Sequence, residues 1–508
     1  MNFLIVLLVV VSAVPCLVGF KSENSELVYT GVVFNPIDGY SYLAKMEIGH
    51  SGDWLFTLPF SRYPGEGRLL FPFYVTAGQI SRLFSVPASF FFNFLRVLAY
   101  GFLLWIISRL IISVKKFVGT HQSTLFLMIG FGGGLGWMLL PFGKFGADFW
   151  VAEAFPFLSG LANPHFPLAI GLAVGSLLLL SNDMNLVNTI LAGLGGLLLS
   201  ILSPFGFVVI ASVITLSWIW ERIEKCNTSA IRIIVFILFG LPYSIYQYWA
   251  VQSTSQLTSW TAQNQTPSPA VWDIFLTFSP WIILVIFGAK FIFDMRNNWI
   301  IRKLIVWMVV GLVLTVIPFN LQRRFLFGLF IPITVLGFIA LPIVAEKIRI
   351  SFKKLLKICL IMTILTPLFL LSMTIFAPLN HNSLYYYRSD ELEAIDWLST
   401  QERKPVAVLA SSETGLLIPT VRRIRVLYGH PFESIDADNN KKAVENFFDG
   451  RMEINECREF LEKNEIDWVF IGPRERLLGE SKLINDIKPD KQFGQVSLYS
   501  VSRLLKHD

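Results

Sequence analysis

The chain has 508 residues, of which 54% are hydrophobic and only 15% charged, with a formal net charge of +6. A soluble domain carries about 25% charged residues, so this composition excludes an ordinary water-soluble enzyme and fits an α-helical polytopic membrane protein. The basic excess does not indicate nucleic-acid binding, because the cations cluster in short loops between apolar spans.

The first apolar run is 3–20. It has no basic leading segment and ends in Cys16-Leu17-Val18-Gly19-Phe20, a poor match to a small-x-small cleavage site, so a retained helix is expected. A membrane helix needs roughly 17–25 apolar residues. Further spans of about that length fall at 88–108, 123–142, 166–181, 185–201, 204–220, 231–250, 271–289, 304–319, 325–344 and 358–376, about 11 in all. The pair meeting at Ser203-Pro204 also reads as one broken or re-entrant element.

Charge sets the expected orientation. Arg109, Lys115 and Lys116, then Arg222, Lys225 and Arg232, fall in alternate loops. So do Lys290, Arg296, Arg302 and Lys303, and then Lys347, Arg349, Lys353, Lys354 and Lys357. The intervening short loops hold only Lys144, Arg323 and Arg324. The positive-inside rule then places the N-terminus in the cytoplasm, and an odd number of spans places the C-terminus outside. Loop 21–87, loop 143–165 and tail 377–508 are expected to share the outer face. Two domains are predicted: a membrane domain over 1–376 and a small α/β extracytoplasmic domain over 377–508. In the tail, Leu392, Ile395, Trp397 and Leu398 have helical spacing, and 441–463 reads as helix. Val406–Leu409, Ile424–Tyr428 and Trp468–Ile471 read as strands.

Cys16, Cys226, Cys359 and Cys457 have no metal-ligand spacing. The glycines from Gly136 to Lys144 do not match a P-loop, and no internal repeat of the transporter kind is visible. Chemistry is expected in three places. Asn35-Pro36-Ile37-Asp38-Gly39-Tyr40-Ser41-Tyr42 directly follows the first span. Asp38 is a candidate general base or cation ligand, with Tyr40, Tyr42 and Trp54 as surfaces for sugar rings; the alternative is an N-cap for a helix over 39–49. The second place is Asp148 and Glu153 with His165, as paired carboxylates or as caps beside the interfacial Trp150. The third is Arg323-Arg324, two cations on the side where cations are scarce. They suit bidentate phosphate binding or snorkelling to lipid headgroups.

In this order and sidedness, these segments resemble the GT-C superfamily of integral-membrane glycosyltransferases, which includes protein O-mannosyltransferases and lipid A aminoarabinose transferases. The resemblance covers nearly the whole chain. It extends to Asn163-Pro164-His165-Phe166, Gln322-Arg323-Arg324-Phe325, Leu427-Tyr428-Gly429-His430-Pro431 and Phe470-Ile471-Gly472-Pro473-Arg474-Glu475. It implies a polyprenyl-phosphate sugar donor, transfer at the external face of a cell membrane, and a glycan, lipid or protein acceptor. Asp38 would be the base, Asp148 or Glu153 the second acidic residue, and Arg323 or Arg324 the stabiliser of the phosphate leaving group. Tyr40, Tyr42 and His165 would line the substrate. A divalent cation, Mg or Mn, would sit on Asp38 and Asp148. The family's first loop often carries paired acidic residues, whereas here Asp38 is followed by Gly39. Two other functions compete: a transporter or lipid flippase, and a membrane assembly scaffold.

Overall fold

The computed structural model describes residues 1–180, 185–226, 228–318, 320–401, 406–485 and 487–506. Ser181 and Phe319, the last residues of two predicted spans, lie outside the described residues.

The apolar segments fold as helices, because a chain without water at its backbone must close its own hydrogen bonds. Among the described residues, six helices are long and apolar enough to cross a membrane: Asn2–Lys21, Ala88–Ser113, Pro204–Ile223, Ile231–Gln252, Phe330–Lys347 and Phe352–Leu379. Shorter apolar helices are His165–Leu179 and Leu186–Leu202. The protein is thus a multi-pass membrane protein. At Ser203-Pro204 there are two separate helices; the Ser203 hydroxyl accepts the Gly206 N–H at 3.1 Å and caps the second.

Two predicted spans are not continuous helices. Segment 123–142 is a helix, Gln122–Gly130, and a 3₁₀ stretch, Gly136–Phe142, separated by a glycine-rich link. Segment 271–289 breaks between Val271–Thr277 and Trp281–Phe287, where Pro280 has no N–H to continue the ladder. The freed backbone is met from within the protein: Gly133 N–H donates to Thr363 at 2.8 Å and Leu135 N–H to Leu276 at 3.3 Å.

The described residues form two compact units, one of 1–15, 94–246 and 266–376, the other of 16–93, 247–265 and 377–508. The first is packed around aromatic side chains, with the Phe155 ring stacked on Phe278 at 5.1 Å and tilted against Phe330 at 5.1 Å. Arg96 is fully buried there, and its guanidinium donates to the carbonyls of Ser12 at 3.1 Å and Gly160 at 2.6 Å.

The second unit joins the first loop to the tail. Strand β1 (Leu27–Tyr29) pairs antiparallel with β2 (Tyr386–Arg388). Strands β3 (Ala407–Leu409), β4 (Arg425–Val426), β5 (Trp468–Ile471), β6 (Lys491–Phe493) and β7 (Val496–Ser500) form one sheet in the order β4-β3-β5-β7-β6. The β3 pairings are parallel, and β5-β7 and β6-β7 are antiparallel. The predicted helix over 441–463 is two helices, Ala437–Phe448 and Ile454–Lys463, parted at Gly450, whose φ of 76° is costly for other residues. The β6-β7 hairpin was not expected, because Lys491 and Gln492 are polar and exposed and give no apolar alternation.

Helix Pro36–His50 crosses helix Pro72–Leu83 at a glycine on each side. A Cβ on Gly49 would collide with the Val75 carbonyl, and one on Gly78 with the Met46 carbonyl. Gly78→Ala should therefore lower stability by about 1–3 kcal/mol, read as a lower unfolding midpoint in detergent.

Glu47 is buried on the same helix and accepts from the Ser51 hydroxyl at 2.9 Å. Burial pushes its carboxyl up to about 7, against the opposing pull of Ser51 and Arg422. The folded state therefore favours protonated Glu47, and that contribution is lost as pH rises through about 7. Glu47→Gln should melt higher than wild type at about pH 8, with the gap closing toward about pH 5.

Candidate functional site

In the second unit, helix Pro36–His50 opens with Asn35 in the left-handed region at φ 46°, followed by Pro36, whose fixed φ suits a first helical position. Asp38 therefore lies in the first turn rather than at the N-cap. Its carboxylate is favoured there by the helix dipole and accepts from the Asn35 amide at 2.8 Å. Asp38 is half-buried.

Tyr40 is 0% exposed and its hydroxyl donates to the Leu384 carbonyl, so it anchors the helix to the tail and leaves no surface for a sugar ring. Tyr42 is partly exposed and stacks on Tyr74 at 4.5 Å.

Below Asp38 on this helix the structure reveals a group that sequence reasoning missed. Lys45 is buried among the rings of Tyr42, Phe56 and Phe71, with its ammonium 4.4 Å from the Phe71 centroid. It pairs with Glu433 at 2.7 Å, and the Ser41 hydroxyl donates to the same Glu433 oxygen at 2.6 Å. Burial works against the Glu433 charge, but Lys45, His430 and these hydrogen bonds overcome it and hold the carboxyl below its usual range. Glu433 lies in a turn with His430, whose Nδ1 accepts the N–H groups of Phe432 and Glu433, each at 3.1 Å. The signal for this turn was present in Leu427-Tyr428-Gly429-His430-Pro431. Lys45 had none, because an isolated lysine in a loop carries no mark of its partner.

In the first unit the two acidic residues of the second loop have different surroundings. Asp148 is 1% exposed. Its Oδ2 accepts from the Thr366 hydroxyl at 2.8 Å, Gly134 N–H at 2.9 Å and Gly136 N–H at 3.3 Å. A Cβ on Gly136 would collide with Oδ1. Asp148 thus ties down the glycine-rich link of the first broken span.

Glu153 pairs with Arg323 at 3.2 Å, and the Arg323 guanidinium lies 5.3 Å from the Trp150 ring centroid. Arg324 is half-buried over Phe205 at 5.5 Å, and its Nε has no hydrogen-bond partner. His165 is the first residue of helix His165–Leu179, nearly buried, with its ring 4.0 Å from that of Phe166. Of the residues singled out in this unit, the structure brings Glu153 and Arg323 into direct contact.

Among the described residues, no three His, Cys, Asp or Glu side chains gather as a metal-binding group. A hard divalent cation takes several oxygen ligands. Asp38 has the Asn35 amide group beside it, and Asp148 is enclosed by backbone N–H groups.

No family model matches the chain, and no curated protein matches it in sequence. Solved structures do match. The apo oligosaccharyltransferase of Archaeoglobus fulgidus superposes with a TM-score of 0.56 at 12% identity, over 92% of this chain and 69% of that one. ArnT from Cupriavidus metallidurans, bound to undecaprenyl phosphate, gives 0.50 at 10% identity over 98% and 99%. The mycobacterial arabinofuranosyltransferase AftD gives 0.53 at 11% over 97% of this chain but 40% of its own. The archaeal enzyme has also been solved with an inhibitory peptide and a dolichol-phosphate, and with Zn and sulfate. The fold is that of the GT-C glycosyltransferases.

Removing one partner of a buried ion pair leaves the other charge uncompensated. Glu433→Gln should therefore cost about 3–5 kcal/mol, and Lys45→Met together with Glu433→Leu should recover much of that loss. Thermal unfolding of the single and double variants checks both.

Proposed function

Starting from the GT-C fold, we propose that this protein transfers a sugar from a polyprenyl-phosphate donor to an acceptor hydroxyl at the external membrane face. The observation that carries the reading is Asp38: a half-buried carboxylate in the first turn of a helix, just beyond the first membrane helix. The solved structures with bound undecaprenyl phosphate and dolichol-phosphate, on the same fold, support the donor class.

In this reading Asp38 takes the proton from the acceptor as its heteroatom bonds to the anomeric carbon. The bond from that carbon to the phosphate oxygen breaks, its electron pair leaves on the polyprenyl phosphate, and the anomeric centre inverts. Arg324 suits the leaving phosphate better than Arg323, because Arg323 is already engaged by Glu153 while the Arg324 Nε is unpaired. Glu153 then serves to hold Arg323 against Trp150. Asp148 supports the fold of the second loop. The transport alternative leans on ionisable groups within the spans; Arg96 is fully buried and held on the carbonyls of Ser12 and Gly160. The domains expected at 1–376 and 377–508 remain the working division for topology, with the N-terminus cytoplasmic and the tail outside.

The test uses membranes containing wild type or Asp38→Asn, radiolabelled sugars on a panel of polyprenyl phosphates, and envelope extract as acceptor. Wild type should transfer from one donor, and Asp38→Asn should be slower by about 10²–10⁴-fold. Equal transfer by folded Asp38→Asn would remove Asp38 as base. Arg324→Ala should slow transfer while leaving the unfolding midpoint near that of wild type.

A further inference from the structure

Strand β4 stands at one end of the five-stranded sheet, beside β3. Its chain alternates: Ile424 and Val426 are buried, while Arg423 and Arg425 carry the opposite face. Arg423 is exposed and Arg425 half-buried. Both arginines line one cavity, together with Glu47, Thr57, Pro59 and Pro64. Arg62 is drawn in as well, since its carbonyl accepts from Arg425 Nη1 at 3.5 Å.

The neighbouring arginines each have a carboxylate. Arg62 pairs with Glu465 at 2.9 Å, Arg422 with Asp396 at 2.9 Å, and Arg423 with Asp53. Arg425 has no such partner among the described residues, and a carbonyl at 3.5 Å is a poor acceptor. Glu47 does not fill the gap: burial pushes its carboxyl up to about 7, and its Oε1 accepts from Ser51. Burial, with the Arg423 and Arg62 charges added to it, lowers Arg425 to about 10. A half-buried guanidinium beside other cations costs stability unless an anion joins it.

The surroundings indicate what carries that anion. Tyr63 is exposed, with the Arg62 guanidinium 5.6 Å from its ring centroid. Trp54 is exposed and follows Asp53, the partner of Arg423. Exposed aromatic rings beside cations offer flat apolar faces on which sugar rings pack.

We propose that Arg425, flanked by Arg423 and Arg62, is a binding subsite for the carboxylate or phosphate of an acidic glycan, with Tyr63 and Trp54 as surfaces for its sugar rings. The inference deepens the glycosyl-transfer reading and rests on it, by making the acceptor an anionic glycan. The planar fork of Arg425 donates two N–H groups to two oxygens of one anion.

The test uses the full-length protein in nanodiscs of zwitterionic lipid. Equilibrium binding and the unfolding midpoint are measured with trigalacturonate, its neutral methyl ester and inorganic phosphate at constant ionic strength. Trigalacturonate should bind wild type and raise its midpoint, and the ester should bind about 10-fold more weakly. Arg425→Gln should weaken trigalacturonate binding by about 10- to 100-fold. Its ligand-free midpoint should be no lower than that of wild type, because a charge without a counterion has been removed; a merely structural arginine would lower it. Arg425→Lys, which keeps the charge and loses the fork, should recover part of the binding.

Equal binding by wild type and Arg425→Gln would overturn the proposal. So would equal binding of acid and ester, a comparison that uses wild type alone. Stabilisation by inorganic phosphate without trigalacturonate binding would show an adventitious ion only, and stabilisation confined to discs containing phosphatidylglycerol would make this a lipid-headgroup site; either result overturns the glycan. In the transfer assay with envelope extract, Arg425→Gln should raise the acceptor KM and leave kcat unchanged. Full transfer by Asp38→Asn would sink Asp38 as the base, while the binding comparison still decides Arg425.

Discussion

The ion pair of Lys45 and Glu433 is the constraint on which the second unit turns. Neither charge has access to water, and each is tolerable only in the presence of the other. Many buried contacts between a helix and a domain accept sliding by a fraction of a turn. A point charge at 2.7 Å from its counterion, boxed by three aromatic rings, does not. One end of helix Pro36–His50 is therefore given a single register against the tail, and Asp38, two turns earlier, inherits it.

The first unit solves a different problem. Apolar segments that break must satisfy their free backbone groups from within the protein. Asp148 does this for the glycine-rich link after Gly130, with help from Thr366. Glu153 has the opposite character: it holds a cation, Arg323, rather than backbone. Two carboxylates five positions apart in sequence, both buried, thus divide into a structural acceptor and an electrostatic partner according to the groups they meet.

Legibility followed physical range. The helical membrane architecture was readable because hydropathy is a local property, and the small α/β tail because β3 and β5 are buried apolar runs. Asp38 stood out by its place after the first span, and Arg323-Arg324 by breaking the charge bias. The breaks within 123–142 and 271–289 were hidden by uniform apolarity, since hydropathy does not distinguish a helix from a satisfied link. Tyr40 read as a sugar platform because an aromatic beside a carboxylate looks the same whether it faces solvent or packs. Lys45 was invisible for the plainest reason: its partner is 388 positions away. His430 lay in a noted motif, but that its Nδ1 accepts the N–H groups of Phe432 and Glu433 is visible only in the tertiary turn.

The pairing of β1 with β2, 359 positions apart at Val28 and Tyr387, has a consequence for biogenesis. During synthesis, residues 27–50 emerge long before their partners. Until residue 433 has been made, Lys45 has no counterion and β1 has an open edge. The nascent protein must therefore carry an unfinished first loop through the insertion of every later helix, a long interval in which a chaperone or a protease can act on it. Synthesis of residues 386–433 is what closes that interval, so a late segment licenses an early one to fold.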